Sequence, residues 1–184
     1  GFNLSCVGDE RSYSLIQNQN ENCISSKAIK VALMNNKKLK IYSYLDRGSD
    51  ERQYCNPNIN LPLSGFCKSK YGTFPEYHTS LDNLNLVSQK GMDQSFMVFK
   101  NIINIFEKTT FPKNKIFCEP KLDKYNIYPK ISFKNNNKKF AKNILNFLAY
   151  CDGKRNIFEI LEIIKLPAKE GLEIISFCKK KKFI

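Results

Sequence analysis

Ser25-Ser26-Lys27-Ala28-Ile29-Lys30-Val31-Ala32-Leu33-Met34-Asn35-Asn36 runs through Lys37-Lys38 into Leu39-Lys40-Ile41-Tyr42-Ser43-Tyr44-Leu45. In the first stretch Ala28, Ile29, Val31, Ala32, Leu33 and Met34 build an apolar face at helical spacing, led by Ser25 as a candidate cap. In the second, Leu39, Ile41 and Tyr42 stand among polar neighbours in a run rich in β-formers, which reads as a strand. A helix feeding straight into a strand sets an α/β class for this part of the chain.

Outward from there, Gly1 to Gly8 is a strand-like apolar run that ends in Gly8-Asp9. It opens with no preceding turn and no Met, so we expect a fragment of a longer protein. The loop Asp46 to Tyr54 leaves the carboxyl end of the 39–45 strand, the edge where open α/β sheets gather their ligands. Asn56 to Pro62 is turn-rich, Ser64 to Tyr71 reads as a short strand, and Gly72 to Thr79 as a second loop after it. From Ser88, a candidate cap, Met92, Phe96, Phe99, Ile102, Ile103 and Phe106 recur every three or four positions up to Lys108, which predicts a long packing helix. Residues 110–138, with Pro112, Pro120, Pro129 and three consecutive Asn, read as a linker holding one short extended piece.

The remainder, 139–184, reads as three short helices: Ala141 to Tyr150, Ile157 to Ile164, and one opened by Pro167 that runs to about Cys178. They predict a small all-α winged-helix-like module, with Ile144, Leu145, Leu148, Ile157, Ile160, Leu161, Ile164, Leu172, Ile175 and Phe177 as its core and Phe183-Ile184 as the start of a β-wing. Ala168 to Phe177 offers few Arg, Asn or Gln to read bases, which favours packing or partner contact over DNA.

Composition sets the bounds. The 184 residues, 42% hydrophobic, suffice for one ordinary domain and a smaller one. The net charge of +13 comes from 30 Lys and Arg against 17 Asp and Glu, and it is spread along the chain rather than gathered into one basic stripe. Seven cysteines, an odd number with no Cys-x-x-Cys pair, argue against a secreted disulfide framework and a Cys-type structural zinc. Without a bilayer-length apolar run or a signal segment, the chain is expected to be soluble and cytoplasmic.

His78 is the single histidine, within Tyr77-His78-Thr79-Ser80-Leu81-Asp82. A neutral imidazole is a common zinc ligand and an acidic residue four positions on is placed to orient it. From residue types alone, a satisfied surface or core histidine remains the alternative. Gly8-Asp9 ends its strand either as a ligand-bearing carboxylate or as a plain turn. Arg47, Asp50, Glu51 and Arg52 form either a salt-bridged loop or a set of substrate contacts.

"RGSDERQYC" (47–55) and "YGTFPEYHTSLDNL" (71–84) together resemble the end of the catalytic domain of the zinc aminopeptidase superfamily, which includes bacterial leucyl aminopeptidases and glutaminyl cyclases. More closely, these stretches and the helical carboxyl-terminal module resemble an uncharacterised bacterial DUF4910-type group with an aminopeptidase-like domain. The resemblance implies that residues 1–109 are the carboxyl-terminal portion of a mixed-sheet catalytic domain. It makes His78 the last zinc ligand, Asp82 the acidic residue that follows it, and Asp9 a carboxylate ligand, with Tyr77, Arg47, Asp50 and Glu51 around metal or substrate. It further implies two zinc ions in the full-length protein, a peptide-like or amide substrate, and a general base upstream, so that no catalytic residue lies within this chain and the chain alone is inactive. One departure is Glu51, where many relatives place a His. On this reading His78 and Asp9 should converge, and Asp82 or a nearby carbonyl should accept a hydrogen bond that fixes the histidine or its loop. The alternative is a nucleic-acid- or partner-binding protein working through the basic helical module. Membrane is not expected as a partner, nucleic acid is disfavoured, and a homo-oligomer is left open.

Overall fold

A computed structural model of the chain describes residues 1–125, 127 and 135–184, the side chains of 135–137 apart. In order, the elements are β1 (Phe2–Leu4), β2 (Tyr13–Ile16), α1 (Ile24–Ala32), β3 (Leu39–Tyr42), a 3-10 turn at Tyr44–Asp46, α2 (Glu51–Tyr54), β4 (Ser64–Cys67), α3 (Gln89–Lys108), a second 3-10 turn at Leu122–Tyr125, α4 (Asn135–Tyr150), α5 (Ile157–Ile163) and α6 (Ala168–Lys180). They form two compact units, Gly1–Ile102 and Ile103–Ile184. None of the described helices is long and apolar enough to cross a membrane.

The first unit is built on a mixed four-stranded sheet in the order β1-β4-β2-β3. β1 pairs parallel with β4, β2 pairs antiparallel with β4, and β2 pairs parallel with β3. β2 has no counterpart in the sequence reading. Its residues Tyr13, Ser14, Leu15 and Ile16 are all buried, so the polar–apolar alternation that marks a half-exposed strand is missing. Each of the two loops follows a strand, as the sequence reading has it, but β3 and β4 run opposite ways, so 46–54 and 72–79 leave from opposite edges of the sheet. The expected strands also shorten, Gly1 to Gly8 to β1, 39–45 to β3 and 64–71 to β4.

Register separates the two faces. Phe2, Leu15 and Phe66 share the side on which Phe99 of α3 sits edge-on to Phe2 and Phe66, with ring centroids 5.2 and 5.0 Å apart. α1 is on that side as well, because Ser25 and Ser26 each share a hydrogen bond with Ser64, at 2.7 and 2.8 Å. Ser25 is therefore a buried packing contact and not the expected cap; the helix is preceded by Cys23, which makes no side-chain cap bond. Ser88 does cap α3, accepting from the Gly91 amide at 3.0 Å. The core face of α3, however, is turned from the expected one. Ser95, Val98, Ile102 and Ile105 are buried, while Met92, Phe96 and Ile103 are 44%, 64% and 55% exposed. Polar Ser95 belongs inside because its hydroxyl donates to the Val7 carbonyl at 2.7 Å, a contact that apolar periodicity does not register.

The second unit is the helical module. Ile144, Leu148, Ile157, Ile160, Leu161 and Ile175 are buried, with Leu145, Ile164, Leu172 and Phe177 partly so. Asn156 caps α5 by accepting from the Glu159 amide at 2.9 Å, and Pro167 stands directly before α6. The carboxyl end does not open a wing. Lys182 adopts φ +59°, the Phe183 amide donates back to Cys178 at 2.8 Å, and the Phe183 ring is buried. Within the stretch read as linker, Lys113 bridges Asp152 in antiparallel fashion and the Lys115 amide donates to the Phe183 carbonyl at 2.8 Å, so these residues are folded onto the helices. Residues 126 and 128–134 of that stretch, Pro129 included, lie outside the described residues.

Gly91 fixes where α3 begins. A Cβ there would stand 1.9 Å from the Gly8 carbonyl oxygen, and the Ser88 amide donates to that same oxygen at 3.0 Å. Gly91→Ala is expected to destabilise the protein by about 3 kcal/mol, because the obstacle is backbone and cannot swing aside. Gly72→Ala, at φ +71° with open space around it, should cost only about 1 kcal/mol. Urea melts with unchanged slope and shifted midpoints are the measurement.

Candidate functional site

The loops expected to carry function meet over the second face of the sheet, where Ile16, Cys67 and Tyr71 form a buried cluster flanked by Cys6, Tyr42 and Tyr77. Glu51 organises one side of it. Its side chain is 1% exposed, and Oε1 accepts from the Gly48 and Ser49 amides at 3.0 and 3.1 Å and from the Tyr71 hydroxyl, while Oε2 accepts from Asn3 Nδ2 at 2.7 Å. The Gly48 amide also donates to the Tyr71 oxygen at 2.8 Å. Burial by itself raises the Glu51 pKa; the bonds from Tyr71, Gly48, Ser49 and Asn3 outweigh it and hold the carboxyl below the ordinary glutamate range. Burial and the facing carboxylate push the Tyr71 phenol up, so it stays a donor.

Asp9 organises the other side. It is buried, with Oδ1 accepting from the Arg11 amide at 2.8 Å and the Ser69 hydroxyl at 3.0 Å, and Oδ2 from the Ser69 amide at 2.8 Å. Arg11 then reaches out to a bidentate pair with Glu76, at 2.9 and 2.6 Å. Asp9 and the histidine loop are thereby joined through Arg11, two residues after Asp9, and Glu76, two residues before His78. The Arg11 hydrogen bonds hold the Glu76 carboxyl down at about 2. Beneath this edge lies Lys68, fully buried, with Nζ 3.6 Å from the Tyr13 ring centroid and donating to Gln94 at 2.8 Å. Burial lowers its pKa, opposed by the charge of Asp9.

His78 is exposed at φ +59°, its ring stacked on Tyr77 with centroids 3.9 Å apart. Among the described residues neither the His78 ring nor the Asp82 carboxylate has a hydrogen-bond partner, so the expected bond fixing the histidine through Asp82 is not formed; the Asp82 amide donates to Thr79 at 3.1 Å instead. Tyr77 is an apolar buttress of the 16/67/71 cluster. Arg47 lies over the Tyr44 ring at 4.5 Å and donates to the Tyr44 carbonyl at 3.2 Å, and Asp50 is exposed. The salt-bridged loop is therefore replaced by a neutral donor set on Glu51: two amides, a phenol and an asparagine cost less to bury beside a carboxylate than a mobile charged arginine does. Among the described residues no three His, Cys, Asp or Glu side chains stand together as a metal ion requires, so the residues present here do not by themselves make a complete zinc site.

Sequence reasoning passed over Arg11, Ser69, Tyr71 and Glu76 as organisers. Tyr71 and Glu76 lie inside the 71–84 motif, which was the available signal. Arg11 and Ser69 carried none, since each is defined by a partner about sixty positions away.

A glutamate whose folded pKa is depressed contributes stability above its unfolded value, roughly 4.3, and loses it as pH falls through the folded value. Both Glu51 and Glu76 are depressed, Glu76 to about 2, so thermal stability should fall across the window from about pH 4 down to about pH 2. Glu51→Gln should cost about 2 kcal/mol near neutral pH through its charged hydrogen bonds and flatten the upper part of that decline. Melting followed by near-ultraviolet circular dichroism at a series of pH values checks both.

Residues 1–109 match the family described as Domain of unknown function (DUF4910), and residues 110–184 match the winged helix-turn-helix family. A protein of Clostridium acetobutylicum, named as a candidate polysaccharide biosynthesis protein with an aminopeptidase-like domain, is 32% identical over 130 residues. That similarity covers 70% of this chain and 30% of the relative. The crystal structure of a candidate peptidase from Clostridium acetobutylicum superposes with a TM-score of 0.78 at 25% identity, over 100% of this chain and 40% of that one. The chain thus spans well under half the length of these relatives.

Proposed function

The chain belongs to the DUF4910 family and carries a winged helix-turn-helix module, and on that premise we propose that it is the carboxyl-terminal part of an aminopeptidase-like, zinc-dependent hydrolase acting on peptide or amide bonds. The observation that carries this reading is the likeness, over the full length of this chain, to the crystal structure of a candidate peptidase. The relative named for an aminopeptidase-like domain supports it from sequence.

In this reading His78 is the principal residue the chain contributes. Its ring is exposed and unbonded among the described residues, so a nitrogen lone pair is free for a ligand, and the stack on Tyr77 with the Arg11–Glu76 pair holds its loop. Asp9 is the second candidate, although its three donors make it first of all a loop clamp. The remaining ligands and the general base fall to the part of the longer protein that this chain does not span. Zinc there would supply Lewis-acid polarisation of the scissile carbonyl.

Zinc content and amide hydrolysis of the complete protein test the proposal. His78→Ala should lower zinc affinity by about a hundred-fold and abolish hydrolysis with the fold retained. Zinc binding that is indifferent to His78→Ala would sink the assignment. The alternative, nucleic-acid binding, has the winged-helix match in its favour, but α6 exposes Glu173 beside its lysines. A zinc-free complete protein that shifts a DNA duplex in a salt-sensitive way would favour it instead.

A further inference from the structure

On the edge of the sheet where β2 and β3 begin and β4 ends, a cleft of about 410 Å³ is lined by Arg11, Lys37, Lys38 and Lys40, with Ser12 and Ser69 buried beside them and Phe74 and Pro75 as an apolar wall. Two segments supply these cations: Lys37, Lys38 and Lys40 come from the run that leads into β3, and the fold brings Arg11, from the turn before β2, up against them. Its charges are poorly answered. Arg11 shares its charge with Glu76, and Lys38 donates to the Glu10 carbonyl at 3.1 Å, which leaves its charge uncompensated. Lys37 and Lys40 have no partner among the described residues. The nearby carboxylates are engaged elsewhere: Asp9 on Ser69 and the Arg11 amide, and Glu10 on Lys90 and Ser88. Gathering several like charges in one concave site raises the energy of the empty protein and concentrates the field of a single sign there.

We propose that this cleft binds a compact, multiply charged oxyanion, a phosphoryl or clustered carboxylate group, held by Lys37, Lys38, Lys40 and Arg11. The hydroxyl protons of Ser12, Ser69 and Thr73 are already donated, to Lys68, Asp9 and Lys70 respectively, so the anion is held by point charges and not by a directional set of donors. Binding of that kind ranks ligands by charge and is screened by salt. The volume accommodates a few linked anionic groups, and the Phe74–Pro75 wall favours a compact group over an extended backbone. None of this depends on zinc or on the hydrolase reading.

Titration of the chain with inorganic tripolyphosphate at low ionic strength, followed by calorimetry and by amide shifts of Arg11 and Lys37 to Lys40, is the test. Saturable one-to-one binding is expected, weakening by about ten-fold or more on going to physiological salt. Lys37→Gln/Lys40→Gln, at exposed positions, should weaken it by a further ten-fold or so with the melting temperature kept, while Lys179→Gln/Lys180→Gln in the second unit leaves it unchanged. Citrate, run in parallel, carries less charge and should bind more weakly, so citrate binding more tightly than tripolyphosphate would name a clustered carboxylate as the natural group. Absence of saturable binding to either probe, or affinity that survives Lys37→Gln/Lys40→Gln, overturns the proposal. So does a double variant that loses thermal stability while its affinity for tripolyphosphate stays the same, because the lysines would then serve the fold alone.

Discussion

A single buried carboxylate, Glu51, ties together three segments far apart in the chain: Asn3 within β1, the Gly48-Ser49 turn before α2, and Tyr71 beyond β4. A charge taken out of water is tolerable only when its lone pairs are filled, so this carboxylate imposes positions on all of its donors at once. The consequence is structural reach. β3 and β4 send their loops from opposite edges of the sheet, and it is the Glu51–Tyr71 contact that brings those loops over the same face. Tyr71 in turn belongs to the buried cluster on which Tyr77, next to His78, packs.

Asp9 does the corresponding work at the β1–β2 turn. Its three hydrogen bonds lock that turn to Ser69, and the Arg11–Glu76 pair extends the lock to the histidine loop. The opposite side of the same turn is held by α3, whose Gly91 touches the Gly8 carbonyl and whose Ser95 bonds Val7. Residues 7–11 are thus gripped from both faces of the sheet. Rigid placement of a loop by groups on two sides is what a site needs if it is to present a ligand-binding side chain at a defined position. It is equally what puts Arg11 beside the lysines that precede and begin β3, so that the candidate histidine loop and the basic cleft share a wall.

The second unit shows a different economy of forces. Its helices are short, and aromatic contacts close the gaps between them: Phe140 against Phe177, Phe177 against Phe183, and Tyr125 against Phe183. Phe183 is central to this arrangement because its backbone carbonyl also accepts from Lys115, joining the end of the chain to the segment that precedes the helices. Rings filling such junctions contribute about 2 kcal/mol each through burial, enough to matter in a unit this small.

What the sequence by itself determined are features decided within a few residues: the helical spacing of 141–150, 157–164 and 168–178, the stop and start at Pro167, the Ser88 cap of α3, and the alternation of helix and strand around α1 and β3. Each depends on side chains one or two turns apart, so periodicity and capping chemistry report it directly. Tertiary structure alone decided that Tyr13–Ile16 is an interior strand, which face of α3 is buried, and that Glu51 is a buried acceptor and not a salt-bridged surface charge. It likewise decided that Asp9 meets Ser69 and that Arg11 meets Glu76. The physical reason is the same throughout: these outcomes are set by partners twenty to about ninety positions away, and a donor at that distance leaves no mark on the local pattern of polar and apolar residues.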